Sequence, residues 1–141
     1  MTYQECVKLS WSVRRKCAQF ARSSAAENYD FHGNEGLEAM CAIASMALRR
    51  ASGNKFTVHI GDYALNDTCT KWGNHCWVEY KDWIIDITAT QFGVKIPVFI
   101  GRKENYGMRY REGKRGNRYS DYTWGDGQNP TSRLIKKILS L

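Results

Sequence analysis

Hydrophobic positions recur with a helical spacing in the first third of the chain and with a strand spacing after it. Residues 2–25 and 37–51 carry apolar side chains three and four positions apart, which is typical of the buried face of an amphipathic helix. From Phe56 onward the apolar side chains occupy every second position, as they do in a strand buried on one face. This order predicts an α+β fold in which helices pack on a small antiparallel sheet.

Residues 74–87 predict a β-hairpin whose register follows from the alternation. The apolar side of its first strand consists of Cys76, Val78 and Tyr80. His75 therefore points to the opposite face. A two-residue turn at positions 81 and 82 pairs Tyr80 with Trp83. The same register places Asp86 on the face of His75, so we expect the carboxylate and the imidazole to meet diagonally across the hairpin.

The C-terminal part of the chain predicts one more strand and a last helix. Residues 95–100 are mainly apolar, but Pro97 lacks an N–H group and favours an edge position. Asn129 and Pro130 suit the cap and the first position of a helix. The apolar side of that helix consists of Leu134, Ile135, Ile138 and Leu139. No linker or internal repeat divides the sequence, so residues 1–141 are predicted to form a single domain.

Cys41 is predicted to lie in the first or second turn of the second helix, after a break at Gly36. A helix N-terminus and a neighbouring imidazolium each lower the pKa of a thiol from about 8.5 into a range of roughly 3.5–7.5. A thiolate is the nucleophilic form of cysteine. Cys41, His75 and Asp86 could therefore act as a nucleophile, a base and the acid that orients the base.

The order and surroundings of these three residues resemble the transglutaminase-like branch of the papain-like superfamily. The matching stretches are residues 37–48 (LEAMCAIASMAL), 75–79 (HCWVE) and 83–92 (WIIDITATQF). In that family the cysteine opens a core helix, the histidine begins a strand and the aspartate ends the next strand. The resemblance implies a papain/transglutaminase-like fold and a catalytic triad of Cys41, His75 and Asp86.

The resemblance also implies a function. We expect a cysteine-dependent hydrolase or acyltransferase that forms an acyl-enzyme with an amide of a peptide or protein. The class includes peptidases of the thiol-protease type, isopeptidases, deamidases and transglutaminases. A leader-peptide protease is a further hypothesis. Besides the Cys41 backbone N–H, the candidates for an oxyanion donor or for the cleft wall are Trp72, Asn74 and Gln91. No cofactor is expected.

The other cysteines and histidines predict no metal site. Structural zinc sites usually contain closely spaced pairs such as Cys-x2-Cys, and the five cysteines and three histidines are not arranged in this way. Buried positions in the core are predicted for Cys6, Cys17 and Cys76. His32 is predicted to lie in a loop and His59 on the solvent side of a strand.

The net charge of +7 is concentrated between residues 95 and 118. Candidate partner-binding residues in this Gly-rich segment are Arg102, Lys103, Arg109, Arg111, Lys114, Arg115 and Arg118. Interleaved tyrosines are typical of nucleic-acid surfaces, where rings stack on bases. The alternative prediction is therefore a non-catalytic module of the same fold that binds nucleic acid or an acidic protein. The simplest interpretation of the segment is a solvated, flexible loop that aids solubility.

Length and composition favour a cytoplasmic protein. The sequence has no apolar run of about 18 residues that would predict a membrane span, and its first residues do not resemble a signal peptide. An odd number of irregularly spaced cysteines fits a reducing compartment. The predicted partner is accordingly a peptide or protein substrate rather than a membrane.

Overall fold

The computed structural model describes residues 1–33, 37, 39–113 and 130–141. Its helices are α1 (Tyr3–Arg22), α2 (Cys41–Ala51), α3 (Lys103–Tyr106) and α4 (Pro130–Leu139), and 3-10 turns cover Ser24–Ala26, Ala89–Phe92 and Gly107–Arg109. Its strands are β1 (Thr57–Ala64), β2 (Trp72–Tyr80), β3 (Trp83–Asp86), β4 (Phe99–Arg102) and β5 (Tyr110–Glu112). The fold is α+β, as the sequence predicts.

The five strands form one antiparallel sheet in the order β4-β3-β2-β1-β5. The predicted hairpin is confirmed, because Tyr80 pairs with Trp83 and Val78 with Ile85. Continuing this register by one residue brings Asp86 to the level of Trp77 and onto the face of His75. β4 lies at one edge of the sheet, in agreement with the position predicted from Pro97, although the strand begins only at Phe99.

Helices α1, α2 and α4 cover one face of this sheet. α1 is started by a capping box in which Thr2 and Glu5 bond to each other's backbone N–H groups. α2 packs on β2 and lies against both α1 and α4. The core between helices and sheet includes Val13, Cys17 and Phe20 of α1, Ala44 and Leu48 of α2, Val58 of β1, Val78 of β2, and Ile135 and Ile138 of α4. The predicted burial of Cys6, Cys17 and Cys76 is confirmed.

Two segments differ from the sequence-based expectation. α2 begins at Cys41 rather than at residue 37. Residues 103–112 of the basic segment form α3, a 3-10 turn and β5 instead of a loop, so the prediction of a loop is wrong for this part of the segment. The hydrophobic pattern does not predict β5, because its three residues lack apolar alternation and the strand pairs with the distant residues 61–63.

No helix among the described residues is both long and apolar enough to cross a bilayer.

Candidate active site

Cys41 is the first residue of α2, and the chain reaches it through an unusual backbone. Leu37 and Ala39 both adopt left-handed φ angles, of 58° and 62°. Such angles cost a residue other than glycine roughly 1–3 kcal/mol and persist only where the surroundings hold them. Here the fully buried side chains of Leu37 and Met40 fix the backbone in this conformation. The N-terminal end of α2, with its free backbone N–H groups, thus presents a half-buried Cys41 sulfur.

The Cys41 sulfur lies beside β2 where that strand leaves its partner β3. β3 pairs with β2 only along residues 78–80, so the preceding residues of β2 leave room for the start of α2. There the thiol and the backbone N–H of Cys76 both lower the pKa of Cys41. The sequence placed Cys76 in the core without identifying this contact.

The surroundings of Cys41 favour its thiolate. The hydrogen bond from the Cys76 thiol is the largest effect, burial opposes it, and the hydrogen bond and charge of His75 reinforce it. Together they lower the pKa of Cys41 to about 5. The thiolate in turn raises the pKa of Cys76, which therefore remains a neutral donor. Burial raises the pKa of Cys17 to about 12, which shows how different an ordinary core thiol is.

His75 is held between Cys41 and Asp86. Its Nε2 atom lies 2.7 Å from Asp86 Oδ2, and each of the two side chains is about 1% exposed or less. Burial by itself lowers the pKa of His75, but the charge and hydrogen bond of Asp86, with those of Cys41, outweigh burial and raise the pKa to about 9. The lowered pKa of Cys41 and the raised pKa of His75 both favour an ion pair of thiolate and imidazolium.

Asp86 receives additional hydrogen bonds that fix its carboxylate. Tyr110 donates its hydroxyl to Oδ2 at 2.8 Å, and Thr88 donates its backbone N–H to Oδ1 at 3.0 Å. Burial raises the pKa of the Tyr110 phenol, so the hydroxyl remains a donor. Neither Thr88 nor Tyr110 is among the candidate site residues that the sequence predicts. Neither contact could be derived from the spacing of the sequence.

Gln91 is the member of the oxyanion and cleft set that contacts the site directly. Its Nε2 atom lies 3.0 Å from His75 Nδ1, the ring nitrogen that Asp86 does not use. A neutral ring accepts a hydrogen bond at this nitrogen, whereas the imidazolium donates one. The amide of Gln91 would therefore turn its oxygen to the ring, or release the ring, when the proton moves to His75.

A buried arginine supports the segment that carries Thr88 and Gln91. Arg14 of α1 is only 8% exposed, and its guanidinium donates to the carbonyl of Ile87 and, at 3.4 Å, to Thr90 Oγ1. Burial lowers the pKa of Arg14, while the nearby Asp86 carboxylate has the opposite effect. Helix α1 thus contributes to the site although none of its residues was predicted to do so.

The rings around His75 limit its movement. Tyr63 and Phe92 contact the imidazole edge to face, and Trp77 stacks beside it. Tyr63 and Tyr110 also border a cavity of about 160 Å³, together with Ala89, Val94, Phe99, Tyr106 and Arg109. The ring that would transfer protons is therefore positioned by aromatic contacts as well as by Asp86.

Trp72 and Asn74 lie on the rim of the site. By alternation both share the face of Cys76 on β2, and both are more exposed than Cys76. The Arg111 guanidinium lies over the Trp72 ring in a cation–π contact, with its central carbon 4.2 Å from the ring centre. Asn74 pairs with Asp62 of β1. Trp72 therefore suits a cleft wall, and Asn74 remains a candidate side-chain donor.

Several cations of the basic segment are engaged within the protein. Lys103 forms an ion pair with Glu79 at 2.8 Å, Arg109 contacts Asp67 at 3.3 Å, and Arg111 contacts Asp62 at 3.3 Å. Arg102 is exposed on the edge strand β4. Lys114, Arg115 and Arg118 lie outside the described residues. The described cations thus offer a less open basic surface than the sequence predicts.

His59 is not the solvent-facing residue that the sequence predicts. It is 7% exposed, and its Nδ1 atom faces the carboxylates of Glu79 and Glu112. These three residues come from three different strands, and each has a side-chain atom that can coordinate a metal ion. His32 is exposed in a turn, as expected.

No protein-family model, no curated protein and no solved structure matches this chain. The fold and the contacts of the site are therefore the basis for assigning a function.

Proposed function

We propose that this protein is a cysteine-dependent amide hydrolase or acyltransferase with a papain/transglutaminase-like fold, acting on a peptide or protein through Cys41, His75 and Asp86. The observation that carries the proposal is the buried pair of His75 and Asp86, 2.7 Å apart, together with a Cys41 thiol whose pKa is lowered by His75 and Cys76. A cysteine buried only for packing has a raised pKa, as Cys17 does.

The proposed reaction begins with attack of the Cys41 thiolate on the amide carbonyl carbon. The carbonyl π electrons move to oxygen, and the resulting oxyanion is stabilised by the Cys41 backbone N–H at the start of α2. The His75 imidazolium then donates its Nδ1 proton to the leaving nitrogen, and the C–N bond breaks. This leaves a thioester on Cys41 and a neutral imidazole oriented by Asp86.

The second half of the reaction decides between hydrolysis and transfer. His75 takes a proton from water or from an amine, which attacks the thioester carbonyl, and the Cys41 thiolate leaves. Water gives a peptidase, isopeptidase or deamidase, and an amine gives a crosslink. Burial of His75 and Asp86 restricts the approach of this second nucleophile to the half-buried side of Cys41.

Covalent labelling with an electrophilic peptide amide analogue tests the proposal. We expect one adduct, on Cys41, when the folded chain is incubated at neutral pH and analysed by mass spectrometry. The adduct should be lost in His75→Ala, whereas Cys6→Ala, which removes a buried thiol elsewhere, should leave the labelling unchanged. Labelling spread evenly over all five cysteines would contradict the proposal and favour a non-catalytic module.

A second experiment would identify the substrate. Cys41→Ala removes the nucleophile but leaves the cleft, so the variant should retain a substrate protein that the parent releases. The retained protein should become modified or cleaved when the parent chain is added. If both chains retain the same protein without changing it, binding rather than acyl chemistry is indicated.

A further inference from the structure

The sheet face that carries His75 also carries a compact group of three ligand-type side chains. His59 comes from β1, Glu79 from β2 and Glu112 from β5. The register explains why they meet, because Glu79 pairs with residue 57 and Glu112 pairs with residue 61, on either side of His59. One donor atom from each residue lies within 4.8 Å of the other two. This group is here called the sheet-face cluster.

Burial distinguishes the sheet-face cluster from carboxylates scattered over a surface. The side chains of His59 and Glu79 are 9% and 11% exposed, whereas that of Glu112 is 44% exposed. The two inner donors are therefore shielded from water, and Glu112 forms the open side by which an ion would enter. The His59 ring is additionally held by stacking on Trp77.

One distance within the cluster is close to the separation of two ligands of one metal ion, and a second distance is shorter. His59 Nδ1 lies 3.2 Å from Glu79 Oε2 and 2.6 Å from Glu112 Oε1. Tetrahedral bonds of roughly 2.0–2.2 Å to zinc place neighbouring ligand atoms about 3.3–3.6 Å apart. Glu112, the most exposed of the three, would have to move outward to admit the ion.

The charges of the cluster also favour a cation. Both carboxylates face the same His59 nitrogen, which can donate at most one proton. Lys103 compensates one carboxylate through Glu79 Oε1, and Trp77 donates to Glu79 Oε2 at 3.0 Å. These outer contacts orient Glu79 in the way that neighbouring groups orient metal ligands. One carboxylate charge remains to be balanced whenever the His59 ring is neutral.

We propose that His59, Glu79 and Glu112 bind a divalent first-row transition-metal ion, with Zn²⁺ as the probe. An imidazole with two carboxylates is a donor set that zinc accepts, and solvent would complete the coordination. Binding displaces any proton on Nδ1, so the bound His59 is a neutral ligand. The absence of closely spaced Cys and His pairs does not bear on this site, because its ligands are brought together by strand pairing.

The bound ion would stabilise the edge of the sheet next to the candidate triad. Glu112 follows Tyr110 by two residues on the short strand β5, and Tyr110 bonds to Asp86. β5 lies so close to Gly61 that a Cβ atom there would be 2.0 Å from the Arg111 carbonyl oxygen. A metal joining β5 to β1 and β2 would therefore help to keep Tyr110 on Asp86.

Isothermal titration with Zn²⁺ tests the proposal. The chain should carry Cys41→Ser and be freed of metal with a chelator, because a thiolate at Cys41 would compete for zinc. We expect one equivalent of Zn²⁺ to bind and the melting temperature to rise. Glu112→Gln and His59→Gln should each weaken binding at least tenfold. Glu104→Gln, which removes one exposed acidic charge from α3, should bind like the parent.

Circular dichroism shows whether each variant is folded. If His59→Gln does not fold, the test depends on Glu112→Gln, which lies on the exposed side of the cluster. Absence of zinc binding in the Cys41→Ser chain, or equal affinity in Glu112→Gln and in the parent, would overturn the proposal. The test needs no enzymatic activity, so its result does not depend on whether Cys41 is a catalytic nucleophile.

Discussion

Tyr110 and His75 donate to the same oxygen of Asp86, at 2.8 and 2.7 Å. The tyrosine comes from β5 and the histidine from β2, two strands that are separated by β1 in the sheet. The carboxylate that would orient the base is therefore itself oriented from the far edge of the sheet. Its position depends on β5 remaining paired with β1.

We expect Tyr110→Phe to slow labelling of Cys41 by an electrophilic peptide amide analogue about tenfold. This corresponds to an increase of about 1.4 kcal/mol in the activation free energy of labelling. Without the hydroxyl, Asp86 is held less firmly and orients the His75 ring less well. The measurement is the rate constant at neutral pH. Tyr106→Phe, which alters an exposed phenol packed on Phe99 of β4, is the matched control. Equal rates in both variants would exclude Tyr110 from the mechanism.

The pH dependence of Cys41 alkylation reports its lowered pKa. A thiol with a pKa of about 5 is ionised above that value, so the rate with iodoacetamide should rise through pH 5 and stay nearly constant up to pH 9. Near pH 9 His75 loses its proton and the ion pair is lost. The chain unfolded in guanidinium should instead show a rise near pH 8.5. The same late rise in the folded chain would contradict the proposed thiolate.

Cys76 is expected to control the acidity of Cys41 through its thiol donor. Cys76→Ala removes that donor and should move the onset of Cys41 alkylation upward by about one pH unit, since one unit corresponds to roughly 1.4 kcal/mol. Cys76→Ser retains a donor and should lie nearer to the parent chain. An onset that is the same in Cys76→Ala and in the parent would show that the backbone N–H and His75 suffice.

Removal of the buried guanidinium of Arg14 should lower stability more than removal of its exposed neighbour. Arg14→Met leaves the buried Ile87 carbonyl without this donor, a loss of about 1–3 kcal/mol in the free energy of unfolding. Arg15→Met should change it by less than about 0.5 kcal/mol, as is usual for surface positions. Urea denaturation measures both. Similar values for the two variants would mean that water replaces the Arg14 contact.

The sequence predicted the parts of the site that depend on local patterns. Alternation along residues 74–86 gave the hairpin register and placed His75 and Asp86 on one face, because side-chain direction in a strand has a period of two. The helical spacing after residue 37 placed Cys41 near a helix start. The start itself was predicted too early, since the left-handed angles of Leu37 and Ala39 leave no trace in an apolar pattern.

The supporting contacts depend on pairing between distant residues, which a linear pattern does not reveal. Tyr110 reaches Asp86 only because residues 110–112 pair with β1, and a short polar strand in a basic segment looks like a loop. Cys76 lies on the apolar face, where the pattern favours core packing, yet the start of α2 comes to the same point. The sheet-face cluster likewise consists of three residues that are neighbours in space alone.

The hydrogen bond from Arg14 to Ile87 joins residues 73 positions apart and has a consequence for folding. Contacts that close long loops form only after the chain has lost much of its entropy, whereas a helix or a hairpin forms locally and early. A partly folded chain can therefore contain both α2 and the hairpin while residues 87–90 are not yet held against α1. The support that α1 gives to this segment would then be among the last contacts to form during folding.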